Sequence, residues 1–496
     1  MSITNPTSYQ TLVAANADIR ATVWSRKVLK TVDEKSVFKN FRGGEGSKMP
    51  VVNKQDLSAG QAQDVVFTLV SAIRGQGVRG EQELKTKTAK IKPHTFRVRV
   101  DLMRHAISWT QILKKLRMGG TVDQITSDLM GDWYTRKYDD DIQIRLRNHA
   151  LLVAPGTNLL RVTNGHSGTT RDQLRSTDTL TPSFIDNGKS TLLSMGASEL
   201  GMETDQMGAT IPKYLFFGPE TFLSPLRSNS SYLQGMQYGA LRGEGNPLFT
   251  GKYPLWNNNV IYPHNIKQDD ADGRQGSPFA PVAYLGTAIA DTTPTTVTGG
   301  GTTDAAGDSD YFAYFPGYSW FITENESLPS DSNDYYFMIY NHRTDKKYEI
   351  VKYTAAGVHA DAKQIASVTR GSATQTGGTN GGGNVTAQAA GRFSLAHPSG
   401  AIIIPCTREG VPINWAMHTG GEALFYATGS EDARPIVHTD DFHVVGKPDD
   451  AHLKAFGLQG IRGMSVFTDR RALAKNFVIV EGAATVPGVV PVAFTG

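Results

Sequence analysis

The sequence predicts an α+β protein in which many short strands accompany one long helix. Three observations lead to this class. Glycine supplies 51 of the 496 residues, roughly a tenth against about 7% in an average protein, which favours turn-rich β architecture. Short apolar runs alternate with turns over most of the chain. The strongest helical repeat lies in residues 121–146, where no proline interrupts it.

The composition is that of a globular chain stabilised by burial or by assembly. Its 496 residues allow roughly three domains or one large one. Apolar types make 39% and charged types 20%, and the net charge of +3 points to no particular partner. The single cysteine, Cys406, excludes an intrachain disulfide framework and a cysteine-rich zinc site. Because it follows a run of isoleucines, we expect it to be an inert core thiol.

Targeting segments are not evident in the sequence. The first ten residues are polar and lack the apolar core of a secretory signal. No stretch of eighteen consecutive apolar residues is present, the length that a membrane-spanning helix needs. We therefore expect a protein that is made in a reducing cytoplasm, stays soluble and has no membrane partner.

The N-terminal residues 1–60 are predicted to form an extended arm. Its apolar residues are scattered in a polar background without a long period. We expect Trp24, Phe38 and Phe41 to pack on the body of the protein or on a neighbouring subunit.

Residues 61–100 are predicted to form a protruding β-hairpin, because strand-like segments at 64–70 and 96–100 flank a polar connection. Residues 61–120 hold twelve basic and four acidic residues, a net +8 in a chain whose total is +3, so the remainder carries −5. A two-stranded ribbon is marginally stable in water, so we expect it to dock on a neighbour of complementary charge, while contact with phosphates stays open. The candidate contact residues are Arg74, Arg79, Lys85, Lys87, Lys90 and Lys92.

The long helix is expected to be a spine on which other elements pack. Thr121 can cap its N-terminus, and Asp123 lies in the first turn, where the helix dipole favours an anion. About 25 helical residues would span roughly 40 Å, far more than an average helix. Its predicted packing face consists of Ile125, Leu129, Trp133, Tyr138, Ile142 and Leu146.

The rest of the chain divides at shifts in composition. Residues 151–285 are predicted to form a mixed α/β body. Threonine- and glycine-rich stretches at 286–310 and 371–391 flank aromatic strands, so residues 286–398 are predicted to be a β-rich insertion with its own small core. The chain then returns to the main body and ends with a pair of strands, 464–467 and 477–480.

Two motifs that suggest a dinucleotide site and a metal site lack the neighbouring sequence that such sites need. Gly75, Gly77 and Gly80 spell G-x-G-x-x-G, but a dinucleotide site needs an amphipathic helix next, and residues 81–93 lack a sustained apolar face. The histidines and aspartates of 438–452 lack the spacing of a helical zinc site, so we expect a solvated loop.

The acidic triplet 139–141 lies in mid-helix, where consecutive residues point in different directions. We therefore expect pairing with nearby basic residues, with solvent or with another subunit rather than convergence on one ion. The sequence also lacks a G-x-S-x-G elbow, a Walker A loop and a His-Glu-x-x-His motif. It predicts no catalytic residue, no cofactor and no metal ligand.

Several segments resemble the Hong Kong 97-type major capsid protein of tailed phages, in the branch typified by the N-four-like phages. The order of parts matches, from arm through hairpin and spine helix to an α/β body with an insertion. The segments that carry the resemblance are GVRGEQEL at Gly77–Leu84, VDLMRHA at Val100–Ala106, LMGDWYTRKYD at Leu129–Asp139, GEALFYA at Gly421–Ala427 and GIRGM at Gly460–Met464.

This resemblance implies a structural protein that is not an enzyme. Such subunits form hexamers and pentamers, which close into an icosahedral shell around double-stranded DNA that they contact non-specifically. Portal, scaffold and decoration proteins would be its partners, the host cytoplasm its place of assembly and the virion capsid its final location. The implied parts are the N-arm 1–60, the E-loop hairpin 61–100, the peripheral domain with the spine helix 101–150, the axial and peripheral body 151–285, the insertion domain 286–398, the axial return 399–455 and the C-terminal peripheral strands 456–496.

Two other classes remain open at this stage. A nanocompartment shell shares the same fold but encloses cargo protein. The insertion's aromatic residues could instead bind glycans, through Tyr311, Tyr314, Tyr318 and Trp320, or simply fill the insertion's own core. A glycan hydrolase would need two carboxylates at a fixed separation, for which residues 324–334 offer candidates by proximity alone.

Overall fold

A computed structural model shows the α+β fold. It describes residues 35–55, 64–70, 93–110, 122–150, 157–166, 171–200, 213–239, 256–264, 283–284, 296–298, 334–340, 348–354, 358–359, 364–366, 369–370, 379–380, 383–384, 397–398, 401–428, 436–438, 453–468 and 474–484. The α-helices in these ranges are α1 Val122–Asn148, α2 Pro182–Met195, α3 Glu220–Ser228 and α4 Ser230–Gly239. Two 3₁₀ turns lie at Lys39–Phe41 and Arg171–Gln173.

The described strands are short, with the exception of β5 and β22. They are β1 Arg42–Gly43, β2 Val51–Gln55, β3 Asp64–Val70, β4 Pro93–Arg99, β5 Asp101–Thr110, β6 Leu159–Arg161, β7 Tyr214–Pro219, β8 Asn259–His264, β9 Ala283–Tyr284, β10 Thr296–Thr298, β11 Asp334–Tyr340, β12 Tyr348–Thr354, β13 Val358–His359, β14 Gln364–Ala366, β15 Thr369–Arg370, β16 Thr379–Asn380, β17 Gly383–Asn384, β18 Ile402–Cys406, β19 Ile413–Thr419, β20 Leu424–Thr428, β21 Ile436–His438, β22 Leu453–Val466 and β23 Phe477–Ala483.

The chain folds into two compact units, each built from separate stretches of sequence. Unit 1 comprises residues 1–142 and 424–467, and unit 2 comprises 143–423 and 468–496. The division falls inside α1. The chain therefore leaves unit 1, builds most of unit 2, returns to unit 1 and ends in unit 2.

Unit 1 is organised around a sheet in the order β1-β2-β20-β22-β21, with β5 also paired to β22. The pairing of β5 with β22 is antiparallel over ten residues of each strand, from Asp101↔Arg462 to Thr110↔Leu453. Strand β20 lies parallel to β2 and antiparallel to β22. All five residues of β20 are buried, as expected for a central strand covered on both faces.

The predicted hairpin is present, and its base is anchored within its own chain. Strands β3 and β4 pair antiparallel from Asp64↔Arg99 to Val70↔Pro93. Phe67 is buried, and its ring centroid lies 4.5 Å from that of Phe425 on β20. The approach is so close that a Cβ on Gly463 would lie 2.1 Å from the backbone oxygen of Arg99. The buried face of this base is therefore occupied by its own chain and is not a surface for docking on a neighbour.

Helix α1 matches the predicted span, but its packing face was predicted wrongly in its first half. Ile125 and Leu129 are 40% and 52% exposed, and Trp133 is only partly buried. The error is one of register, because the buried positions recur every four residues from Met130, one residue after the series that contains Ile125, Leu129 and Trp133. The buried residues of α1 instead include Met130, Tyr134, Tyr138, Ile142 and Leu146.

Unit 2 contains a sheet in the order β6-β23-β19-β7-β8. Every residue of β19 and β23 is buried, and the two strands pair antiparallel over seven residues. Helices α2 and α3 cover this sheet, with Ile185 and Phe222 in the same core cluster as Phe216 and Val480. Proline at the first position of α2 suits the start of a helix, because its missing N–H has no partner there in any case.

A second sheet of unit 2 has the order β15-β12-β11-β18-β9. It contains the aromatic hairpin β11–β12, which pairs from Asp334↔Thr354 to Tyr340↔Tyr348. Strand β11 also pairs with β18, and β18 with β9. Because β18 and β9 lie outside residues 286–398, this sheet continues beyond the limits predicted for the insertion.

The last two strands do not form one pair. Strand β22 belongs to the sheet of unit 1, whereas β23 pairs with β19 and β6 in unit 2. Both segments are apolar and strand-like, and the sequence pattern does not distinguish two adjacent strands from strands of separate sheets. Among the described helices, none is long and apolar enough to cross a membrane.

We expect Phe67→Ala to reduce the free energy of unfolding of unit 1 by about 3–5 kcal/mol, because it leaves a cavity where a buried aromatic ring was packed. Val66→Ala is the matched control, since Val66 lies next to it on β3 but is 36% exposed. Urea unfolding followed by tryptophan fluorescence measures both. Equal losses for the two variants would show that the hairpin base is not packed as described.

Candidate assembly segments and their anchors

The N-terminal segment is attached to α1 by a buried carboxylate. Ser36 Oγ donates to Asp139 Oδ1 at 2.6 Å, and the backbone N–H of Val37 donates to Asp139 Oδ2 at 3.0 Å. Phe38 and Phe41, two of the three predicted arm-packing residues, are 3% and 8% exposed. The described part of the arm therefore packs on its own subunit.

Asp139 is a weak acid at this position. Burial raises its pKa to about 6, and the hydrogen bonds from Ser36 and Val37 oppose that shift without cancelling it. Arg42 lies nearby, with its guanidinium carbon 5.2 Å from the centroid of the Tyr138 ring. Burial raises the pKa of Tyr138 as well.

Two members of the acidic triplet, Asp139 and Asp141, have partners within the chain. Asp141 accepts hydrogen bonds from Lys137 Nζ at 2.6 Å and from Arg462 Nη2 at 2.5 Å. Asp139 and Asp141 thus point to different partners. Burial would lower the pKa of Arg462, but Asp141 together with Tyr134 and Tyr426 outweighs it, so the pKa is raised.

The exposed part of α1 carries an aromatic stack. The rings of Trp133 and His105 on β5 lie 4.3 Å apart and nearly parallel. Burial lowers the pKa of His105, which favours the neutral ring. Next to this stack, Leu129 and Ile125 remain exposed in the single chain.

Several predicted site residues lie outside the part of the chain that the structure describes. These are Trp24 of the arm, the hairpin residues Arg74, Arg79, Lys85, Lys87, Lys90 and Lys92, and the histidine and aspartate cluster beyond His438. Within the described residues, no group of three or more histidine, cysteine, aspartate or glutamate side chains could hold a metal ion. Cys406 is free and buried as predicted, and burial raises the pKa of its thiol.

Unit 2 contains an ionic cluster that the sequence did not predict. Glu481 on β23 is buried, and Arg147 and Arg171 donate to its Oε1 at 3.2 and 2.9 Å. Arg161 Nε lies 3.4 Å from Oε2. Arg147 also lies over the ring of Trp415. The one carboxylate therefore connects the end of α1, β6, a 3₁₀ turn and β23.

The charges around Glu481 keep it ionised despite its burial. Burial alone would raise its pKa, but the charges of Arg171, Arg161 and Arg147 lower it to about 2. The only signal in the sequence is a glutamate in the apolar strand FVIVEGA. A charge at a buried strand position requires partners, yet nothing in the sequence shows which of the chain's basic residues supply them.

We expect Glu481→Gln to destabilise unit 2 by about 3–5 kcal/mol, because it removes the buried carboxylate that three guanidinium groups share. Glu220→Gln is the control, since Glu220 forms an exposed pair with Arg227 at 3.2 Å and should cost less than about 1 kcal/mol. Thermal unfolding monitored by calorimetry separates the two. A loss for Glu481→Gln as small as that of the control would contradict the described cluster.

His418 is a buried histidine held in its neutral form. Its Nε2 lies 2.9 Å from Asn259 Oδ1, and a Cβ on Gly188 would lie 2.4 Å from its Nδ1. Burial lowers its pKa to about 3, and the charge of Lys189 acts in the same direction. The folded state therefore binds fewer protons than the unfolded chain between about pH 3 and pH 6.5.

We expect His418→Gln, which retains a donor for Asn259, to weaken the acid sensitivity of unit 2. The stability due to neutral His418 is present above pH 6.5 and is lost as the pH falls towards 3, by up to about 1.4 kcal/mol per pH unit. Urea unfolding at pH 7, 6, 5 and 4 measures how steeply the free energy of unfolding falls with pH in wild type and variant. The same pH dependence in both proteins would refute the assignment of His418 as a buried neutral histidine.

Comparisons with known proteins identify the fold and the family. Residues 13–276 match the model of a family described as phage capsid protein, which is more than half of the chain. The structure is similar to the capsid of Ralstonia phage GP4, at 14% identity and TM-score 0.50, covering 91% of this chain and 92% of that one. It is also similar to the capsid asymmetric unit of cyanophage Pam1, at 11% identity and TM-score 0.51, covering 91% and 93%. No curated protein matches the sequence.

The architecture is that of a capsid subunit with the Hong Kong 97-type fold, as the sequence resemblance implied. The chain belongs to the phage capsid protein family. It is a major capsid protein that forms the phage head shell as a homo-oligomer, and its location is the virion capsid. Its function is structural and not enzymatic.

Proposed function

We propose that this capsid protein assembles into hexamers and pentamers, which close into an icosahedral shell around double-stranded DNA. The observation that carries this proposal is the hairpin β3–β4. Its base is fixed in a core with Val98, Phe67 and Phe425, whereas the connection 71–92 carries six basic and two acidic residues. A rigid base with a charged connection is suited to a contact with another subunit.

The hairpin would act as the E-loop, with Arg74, Arg79, Lys85, Lys87, Lys90 and Lys92 facing a neighbour. The region 61–120 carries +8 and the rest of the chain −5, so identical subunits have complementary surfaces. The exposed apolar side chains of Ile125 and Leu129 would be covered in the shell, since apolar area gains free energy when it leaves water. The N-terminal arm would add contacts through Trp24.

The further assignments extend the same proposal. The chain would belong to the N-four-like branch, with residues 286–398 as an insertion domain. Residues 101–150 and 456–496 would contribute to the peripheral domain, and 399–455 to the axial domain. Assembly would take place in the host cytoplasm with portal and scaffold proteins, and decoration proteins would bind the finished shell.

A charge-reversal variant tests the hairpin contact. We expect Lys85→Glu, Lys87→Glu, Lys90→Glu and Lys92→Glu together to abolish particle formation while the subunit still folds, because like charges now meet at the contact. The matched control replaces the same four lysines by arginine and retains the charge. Light scattering and negative-stain microscopy measure assembly, and thermal unfolding checks the fold.

Particles of the glutamate variant in wild-type yield would contradict the role of the hairpin.

The contents of particles from infected cells test whether the shell encloses double-stranded DNA. Nuclease-protected double-stranded DNA is the expected cargo, whereas a protein cargo without DNA would indicate a nanocompartment.

A further inference from the structure

The described part of unit 2 has an open cleft of about 530 Å³. It lies where α2 and α4 begin, beside the turn that precedes β8. Carbon atoms make up the larger part of its surface, and its amide and hydroxyl side chains come from Asn164, Thr181, Ser183, Asn229 and Ser231. The other polar side chains in the lining are Asp186 and the indole of Trp256.

Trp256 is held at the edge of this cleft by a tight turn. Its backbone N–H donates to Asn259 at 3.2 Å and its carbonyl accepts from Asn259 at 2.8 Å. Asn257 and Asn258 between them have φ of 46° and 61°, left-handed values that asparagine tolerates better than most residues. Lys189 Nζ fastens the turn to α2 by donating to the carbonyl of Asn257 at 2.7 Å.

The indole is fixed as well as the backbone. Trp256 Nε1 donates to Asp186 Oδ1 at 3.2 Å, and Asn257 Nδ2 donates to the same oxygen at 2.9 Å. The buried ring of Tyr232 lies 5.6 Å from the indole and supports it. Both donors use Oδ1, so Asp186 Oδ2 has no hydrogen-bond donor among the described residues.

The chemistry of the lining restricts the class of ligand. Among the described residues that line the cleft, Asp186 has the only charged side chain, and its carboxylate would repel an anionic ligand. A purely apolar ligand would leave Asp186 Oδ2 without a hydrogen-bond donor, which is costly. A neutral polyhydroxylated ligand meets both conditions, because each hydroxyl can donate and accept.

We propose that this cleft binds a neutral saccharide. The indole of Trp256 packs against a C–H face of the sugar ring, and Asp186 Oδ2 accepts a hydrogen bond from a sugar hydroxyl. Ser183 and Ser231 offer further hydroxyl partners. The site is distinct from the aromatic residues 311–320, and its binding does not depend on shell assembly.

The affinity of one site should be weak. An open cleft with few fixed polar groups gives a small ligand a dissociation constant on the order of 1 mM. A shell presents the same site in many copies, so a multivalent glycan would bind a particle much more tightly than a single subunit does.

Ligand-observed NMR on folded subunits tests the proposal with glucose, galactose, N-acetylglucosamine and maltotriose as probes. We expect saturable binding of at least one probe, weakened about tenfold or more by Trp256→Ala. Trp133→Phe is the control, because Trp133 is also partly exposed but lies in unit 1. Ser231→Gln, at an exposed position, obstructs the cleft without altering Trp256 and covers the case in which Trp256→Ala fails to fold.

Equal weakening in Trp256→Ala and Ser231→Gln, with no change in Trp133→Phe, would establish the site. Failure of all four probes to bind wild type at about 50 mM would overturn the saccharide assignment, as would binding that both cleft variants leave unchanged. Particle assembly is measured separately, so failure here leaves the proposed shell function intact.

Discussion

Glu481 and the three arginines around it hold four separate elements of unit 2 together. The carboxylate is surrounded by guanidinium groups that come from positions more than 300 residues earlier in the chain. Leaving water costs each of these ions several kcal/mol, and only close approach of opposite charges offsets that cost. The end of α1, strand β6 and the 3₁₀ turn at Arg171–Gln173 must therefore come together with β23 for any of them to be stable.

The sequence predicts local elements well and long-range partners poorly. Residues 64–70 form a strand as predicted, and α1 begins and ends within two residues of the expected span, since both depend on local pattern. The error at Ile125 and Leu129 arose because two adjacent series of residues four apart run along the helix, and only the series that begins at Met130 is buried. Glu481 could not be assigned its arginines, because pairing over such separations depends on the completed fold. The strands β22 and β23 show the same limit, since adjacency in sequence does not place strands in one sheet.

The base of the hairpin is held in place by side chains of its own unit. Val65, Phe67 and Val98 point into the core of unit 1, whereas Val66, Arg97 and Arg99 alternate with them on the exposed face. The apolar face holds the base of the hairpin without help from another subunit.

Burial shifts the pKa of a carboxyl group and of an imidazole in opposite directions, so buried groups of the two kinds respond oppositely to acid. Asp139 in unit 1 has its pKa raised by burial to about 6, so its favourable contribution is present below about pH 4 and is lost as the pH rises through 6. His418 and His264 in unit 2 have their pKa values lowered by burial to about 3, so their contribution is present at neutral pH and is lost in acid. Mild acid therefore strengthens the attachment of the N-terminal segment to α1 while it weakens the core around β19.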